Sequence, residues 1–400
     1  LSADDRYLLA LKTNFIDHVP SAEDSADVGI FDLDTPSAPF RKLGVSCSFN
    51  WQQGCMLQFL GPDYKSRVIY NDFSGNEYVS NIVDLETGET RAAGPAIYNV
   101  LPNGRQALTI DFARHHWCRR GYSYGNIQDQ RKNKLIVPGD AISLVDLETG
   151  QSRQILSIED MLRLQPVSSM SGAVHYLEHM TANPAGTHFA FLHRWRHSEG
   201  IHSRLLVATV LGQNVAIIND SGRMSHFCWR DDTRLLGYGG IANAVNRLRK
   251  SKVLIRSLFR FALPFYHKLF RDDSTIAKML TGDSYLEFDV ETGETRLIAP
   301  SLRAEDGHPA MLKDGRHFAT DRYARSKLGQ DPELLLFDLT SEVVVARQQL
   351  RSMPEFDETP IRCDLHPRVS PSGRIITIDT MDRGKRDIYA YRVLGVKSAV

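Results

Sequence analysis

One turn motif recurs along the chain and limits what it can fold into. D-L-E-T-G, or a close variant, stands at Asp32–Thr35, Asp84–Gly88, Asp146–Gly150, Asp289–Gly293 and Asp338–Ser341, with weaker forms at 211–214 and 394–395. A second turn, built from Pro, Asp, Asn and Gly ahead of Arg, Thr or Lys, alternates with it. Examples are Pro102-Asn103-Gly104-Arg105, Lys313-Asp314-Gly315-Arg316 and Pro371-Ser372-Gly373-Arg374. Both kinds are flanked by runs of Val, Ile, Leu, Phe and Tyr, such as 333–338 and 375–379. Asp-Gly and Asn-Gly supply the positive-φ positions of tight hairpins. Each pair of turns therefore closes a four-stranded antiparallel meander, and seven such units in series predict an all-β, seven-bladed β-propeller over residues 1–400. The chain opens at a second-type turn and runs out near an outer strand. Ring closure is expected either to borrow strands between the two ends or to lack a few residues.

Spacing between the turns marks two insertions. In five blades the turns lie less than about thirty residues apart, but they are about 45 apart in the third and about 60 in the fifth. The third-blade excess, 114–138, is rich in His, Trp, Arg and Tyr. The fifth-blade excess, 242–279, places apolar residues at helical spacing among Arg and Lys over 245–262, so an amphipathic helix is expected there. A cap packed on the rim is its first reading. A basic wall for an anionic polymer and a membrane-surface helix are the others.

Composition narrows the function. Forty-eight basic residues balance 48 acidic ones, which removes the electrostatic signature of a nucleic-acid binder. No apolar run approaches the roughly 18 residues of a membrane span, so no membrane partner is expected. Five cysteines exclude a disulfide scaffold.

In a meander both tight turns fall on one rim, so the blade-to-blade connections fall on the other. That second rim collects the unusual chemistry. It carries Gln53 and Cys55, His175-Tyr176-Leu177-Glu178-His179, His226 and Cys228, His308, and Arg362-Cys363-Asp364-Leu365-His366. Within-blade connections add His115, His116, Tyr122, Tyr124, His193, Arg194, Arg204 and Arg322. These side chains are expected to converge at the mouth of the central channel. Gly121-Tyr-Ser-Tyr-Gly125 matches G-x-S-x-G, but the strand-to-helix context of a hydrolase elbow is missing, and the serine-hydrolase reading is set aside.

Two constellations follow. His226, His308, Cys363 and His366 come from successive blades, and imidazole with thiolate suits zinc or another borderline divalent metal, here in a structural role. The alternative is a set of histidines bonding the ends of neighbouring blades. His115, His116, His175, His179 and His193 stand beside Arg194 and Arg204. An imidazole base, a phenol and a guanidinium that neutralises a carboxylate make up the kit for β-elimination from a uronic acid. No organic cofactor is called for.

These segments resemble the seven-bladed propeller polysaccharide lyases, namely oligogalacturonate lyases and ulvan lyases. The likeness is carried by 193–204, Ser225-His226-Phe227-Cys228-Trp229, Gly307-His308-Pro309 and Arg362 to Pro367. It implies eliminative cleavage of a uronate polysaccharide, ulvan first among them, and a metal held by His and nearby residues. It also implies Arg194 or Arg204 as neutraliser, His193, His175 or His115 as base, and Tyr122, Tyr124 or Tyr176 as acid. Gln53, His116, Tyr176, His179 and Arg322 are expected to hold substrate. The expected protein is a secreted or periplasmic monomer. The competing readings are a non-catalytic propeller that binds glycans or proteins, and a metal-dependent hydrolase on the same scaffold.

Overall fold

The computed structural model describes residues 1–132, 134–197, 200–241, 243, 246, 282–303, 305–325, 329–357 and 360–394. They form seven antiparallel sheets, the blades of a β-propeller. The first sheet holds β1 (Tyr7–Lys12), β2 (Ala26–Asp32) and β3 (Arg41–Ser46). The second holds β4 (Gln58–Phe59), β5 (Arg67–Ser74), β6 (Glu77–Asp84) and β7 (Thr90–Pro95). The third holds β8 (Asn99–Val100), β9 (Gln106–Thr109), β10 (Ala141–Asp146) and β11 (Ser152–Ser157). In the fourth are β12 (Val174–Ala182), β13 (His188–His197), β14 (Gly200–Thr209) and β15 (Ala216–Gly222). The fifth contains β16 (Met224–Trp229), β17 (Arg234–Gly239), β18 (Ser284–Asp289) and β19 (Thr295–Ile298). The sixth has β20 (Ala310–Met311), β21 (His317–Arg322), β22 (Glu333–Asp338) and β23 (Val343–Gln349). The seventh has β24 (Arg368–Val369), β25 (Ile375–Thr380) and β26 (Asp387–Arg392). The first strands of blades three to seven touch in succession, β8 on β12, β12 on β16, β16 on β20 and β20 on β24. That contact order is the ring.

The repeated turn has a physical reason at each end. Asp84 Oδ1 accepts from Glu86 N (3.0 Å) and Thr87 N (2.9 Å), and Asp146 and Asp289 repeat the pattern on the same two following residues. A short carboxylate reaching forward to its own backbone is what closes such a turn. The glycine then adopts φ of 76° at Gly88, 71° at Gly150 and 74° at Gly293, where a side chain would be strained.

Apolar faces of adjacent blades make the core. Leu192, Leu205, Trp229, Leu286 and Phe288 fill one interface, between the fourth and fifth blades. Tyr238, Tyr285, Phe318 and Phe337 fill the next. The first and seventh sheets have three strands each among the described residues and remain separate. Side chains join them: Asp5 accepts from Ser372 Oγ (2.6 Å) and pairs with Arg374 (2.9 Å), and Arg386 lies over the Trp51 ring (4.0 Å).

The third-blade insertion contains a helix that the sequence reading left out, α1 (Phe112–Cys118), capped by Asp111 accepting from Arg114 N. The predicted fifth-blade helix, 245–262, and nearly all of 242–279 lie outside the described residues.

Two glycines with one backbone angle separate strain from crowding. Gly104 and Gly315 both have φ of 65°. A Cβ on Gly104 would sit 1.8 Å from the Gly61 carbonyl oxygen of the neighbouring blade, whereas one on Gly315 would meet nothing within 4 Å. Gly315→Ala is expected to cost about 1 kcal/mol of stability from left-handed strain. Gly104→Ala is expected to cost about 1–3 kcal/mol more from the clash. Urea unfolding of the two variants checks the difference.

Candidate active site

Alternation along β12 and β13 decides which side chains can meet. Tyr176 pairs with Arg194 and Leu177 with His193, so successive residues face opposite sides of the blade. Tyr176, Glu178, Arg194 and Arg196 face α1. His175, His193, Trp195 and Arg204 face away from it.

The α1 side is organised by a carboxylate. Glu178 is fully buried and ion-pairs with both Arg119, at the C-terminal end of α1, and Arg194. His115 Nε2 lies 3.2 Å from its other oxygen, and His179 Nδ1 lies 3.5 Å from the shared one. Burial opposes the charge, but the two guanidiniums outweigh it and hold Glu178 well below the usual carboxylate range. Tyr176, 2% exposed, lies behind this cluster beside His115. Arg196 donates to the Cys118 carbonyl (2.8 Å), which fixes α1 against β13.

From there a circuit of side chains, partly exposed except for the buried Tyr122, runs around the axis. Arg119 stacks on the Tyr122 ring at 3.8 Å, and Tyr122 lies 6.4 Å from His179 between ring centroids. His179 neighbours His226 (5.8 Å), and His226 neighbours His308 (3.9 Å), which neighbours His366 (4.1 Å). Tyr323 OH bonds His226 Nε2 (2.9 Å). Arg362 lies over the Tyr323 ring and donates back to Tyr122 OH (3.3 Å). Gln53 Nε2 donates to Tyr98 OH, which in turn accepts from His179 N. Residues of the third to seventh blades thus meet in one funnel. Burial pulls His179 down to about 4 and holds His226 and His366 well below the ordinary imidazole value. All three are neutral at pH 7.

Within the funnel, one ligating atom each of His308, Asp364 and His366 falls inside a 4.8 Å group. Asp321 accepts from the His308 backbone (2.6 Å) and from its Nδ1 (3.0 Å), leaving Nε2 as the nitrogen turned to other use. A carboxylate orienting an imidazole in this way is the usual support of a metal ligand. The donor set of imidazoles and carboxylate fits a divalent cation. Asp364 stands where Cys363 was expected, and His226, also expected as a ligand, bonds the Tyr323 hydroxyl outside this group. Adjacent residues diverge, and the half-buried Cys363 thiol, pushed up to about 12 by desolvation, lies near Asp379 and Arg386 instead.

The other expected residues separate from the funnel. His175, His193 and Arg204 are 1%, 0% and 2% exposed. Arg204 Nε donates to His193 Nδ1 (3.2 Å), His193 Nε2 meets His175 Nδ1 (3.0 Å), and His175 Nε2 meets the Met170 carbonyl (2.9 Å). Every ring nitrogen is spent, so neither imidazole has a lone pair for substrate. The remaining guanidinium donors reach the carbonyls of Met161 and Leu164, tying down α2 (Ile158–Arg163). Tyr124 is buried, stacked on Phe112 (4.8 Å) and bonded to Asn71. Ser123, the middle of the G-x-S-x-G match, bonds the Phe112 carbonyl. Arg322 is occupied by Glu305 and Glu333. His116 packs beside Gly125. Sequence reasoning placed Glu178, Arg362 and Asp364 on this rim without giving them a role, and it missed Arg119, Asp321 and Tyr323 as site residues. The period-two alternation of β12 and β13 was a signal that could have parted His193 from Arg194.

No protein-family model matches the sequence, and no curated protein matches it. The fold is similar to that of an oligogalacturonate lyase solved in complex with manganese (TM-score 0.60, 16% identity, 92% of this chain and 83% of that one). An oligogalacturonate lyase of Vibrio parahaemolyticus is also similar (TM-score 0.57, 14% identity, 97% of this chain and 92% of that one). So is the hydrazine synthase of Kuenenia stuttgartiensis (TM-score 0.50, 9% identity, 96% and 97%). The likeness is one of fold, a β-propeller scaffold that carries unrelated chemistries.

The buried histidine chain predicts acid sensitivity. Burial lowers His175 to about 4, against about 6.5 in the unfolded chain. As pH falls from 6.5 towards 4, the unfolded chain takes up a proton that the folded one refuses. Stability is therefore lost over that window, by about 3 kcal/mol for this group. Urea unfolding at pH 7 and 4.5 measures the loss, which is expected to shrink in His175→Gln.

Proposed function

We propose that this protein is a polysaccharide lyase that cleaves an anionic, uronate-containing polysaccharide by β-elimination. The observation that carries the reading is the Arg119–Glu178–Arg194 cluster set beside His179 and Tyr122 in one funnel. Guanidiniums present planar forks to a carboxylate, and neutralising the uronate makes its C5 proton removable. His179, neutral and adjacent to the clamp, takes that proton. The C4–O bond breaks as the C4–C5 double bond forms, and the Tyr122 hydroxyl returns a proton to the leaving oxygen. No water is consumed, which separates this reaction from hydrolysis. Arg362, bonded to the Tyr122 oxygen, steadies the phenol through that transfer.

A divalent cation would be held by His308, Asp364 and His366, where it would add positive charge against the substrate's acidic groups. Two imidazoles and a carboxylate, with the thiol turned elsewhere, are a harder set than the zinc site expected from the sequence, and they suit manganese. Ulvan and polygalacturonate are the substrates to try first. A polymer of this kind is met outside the cytoplasm, which fits a secreted or periplasmic protein.

Incubation with uronate polysaccharides is expected to raise the ultraviolet absorbance of the unsaturated product, with no added water in the product mass. Arg194→Ala, His179→Ala and Tyr122→Phe should each lower kcat by about 10²–10⁴-fold. Because His179 must be neutral to act and is pulled down to about 4, kcat/KM should hold from pH 8 to 5 and fall only as pH drops through about 4. Full activity in all three variants contradicts the proposal.

A further inference from the structure

The buried charge around Glu178 does not balance. Arg119 and Arg194 contribute two positive charges, and Glu178 is the one carboxylate in ion-pair range of either among the described residues. His115 and His179 are the other groups against it, at 3.2 and 3.5 Å. The side chains of Arg119 and Arg194 are 20% and 11% exposed, so little water reaches the surplus charge. An unmatched charge in such surroundings is costly unless an anion completes it.

We infer that Glu178 is a positioning residue that sets both the aim and the net charge of the arginine pair, leaving one positive charge matched to one substrate carboxylate. This rests on the lyase reading, and it assigns the site a single monoanionic group at the clamp. Three elements converge to make it: the end of α1 supplies Arg119, β13 supplies Arg194, and β12 supplies Glu178. The irregular register after Glu178, with His179 at φ of 54°, turns β12 at this point. Without the carboxylate, two guanidiniums would repel each other and swing apart. They would also attract anions more strongly. Attraction and aim therefore change in opposite directions when Glu178 is neutralised.

The test is Glu178→Gln beside Glu178→Asp, with trigalacturonate as probe at low and high salt. Glu178→Gln is expected to lower kcat at least 100-fold while KM falls about threefold at low salt and rises more steeply with salt. Glu178→Asp keeps the charge, so its KM and salt slope should stay near wild type, with kcat at least tenfold above that of Glu178→Gln. A merely structural role would cut the apparent kcat with KM and salt slope unchanged, and that result overturns the inference. So does a wild-type kcat in Glu178→Gln. Should Glu178→Gln fail to fold, Glu178→Gln/Arg119→Gln restores the single surplus charge and should fold; a double variant no better folded than the single overturns the inference. A wild-type protein that binds trigalacturonate but releases no unsaturated product overturns the lyase reading alone. Calorimetry then decides: tighter, more salt-sensitive binding in Glu178→Gln upholds the inference, and unchanged or absent binding overturns it.

Discussion

Strands in a meander alternate in direction, so every blade has to begin its innermost strand from the same rim of the disc. That constraint puts the connections before β12, β16, β20 and β24 around one mouth, whatever residues they carry. Side chains from separate repeats can then meet without any of them being close in sequence. His179, His226, His308 and His366 come from four successive blades, yet each ring lies within 6 Å of the next. The chemistry of the funnel is borrowed from the geometry of closure.

The fold was legible because its turns need particular residues. A carboxylate at the first position and a glycine at the last are required by the forward hydrogen bonds of Asp84, Asp146 and Asp289 and by the positive φ of Gly88, Gly150 and Gly293. Counting such turns counts blades. Helix α1 escaped the same reading because its seven residues, including two histidines and a tryptophan, carry little apolar periodicity. What holds it is tertiary: the Glu178 contacts of His115 and Arg119, and the Arg196 bond to its last carbonyl.

The site was legible only as a neighbourhood. The rim and its histidines followed from strand direction, but facing was lost wherever a run of chemistry-bearing residues was treated as one group. His193 and Arg194 are neighbours in sequence and opposites in space; the first ends in a chain of spent nitrogens, the second at a buried carboxylate. The same step of one residue exchanges Cys363 for Asp364. Glu178 stood on the expected rim but its role lay beyond reach, because its neighbours Leu177 and His179 give no sign of partners at 119 and 194.

Where an acidic sugar lies in the funnel decides the mechanism. A crystal structure of the protein with bound trigalacturonate measures that directly. One uronate carboxylate is predicted to lie between the guanidiniums of Arg119 and Arg194, with its C5 turned to His179 and O4 to Tyr122. A sugar bound on the tight-turn rim, or in the funnel with no carboxylate at that arginine pair, would contradict the account.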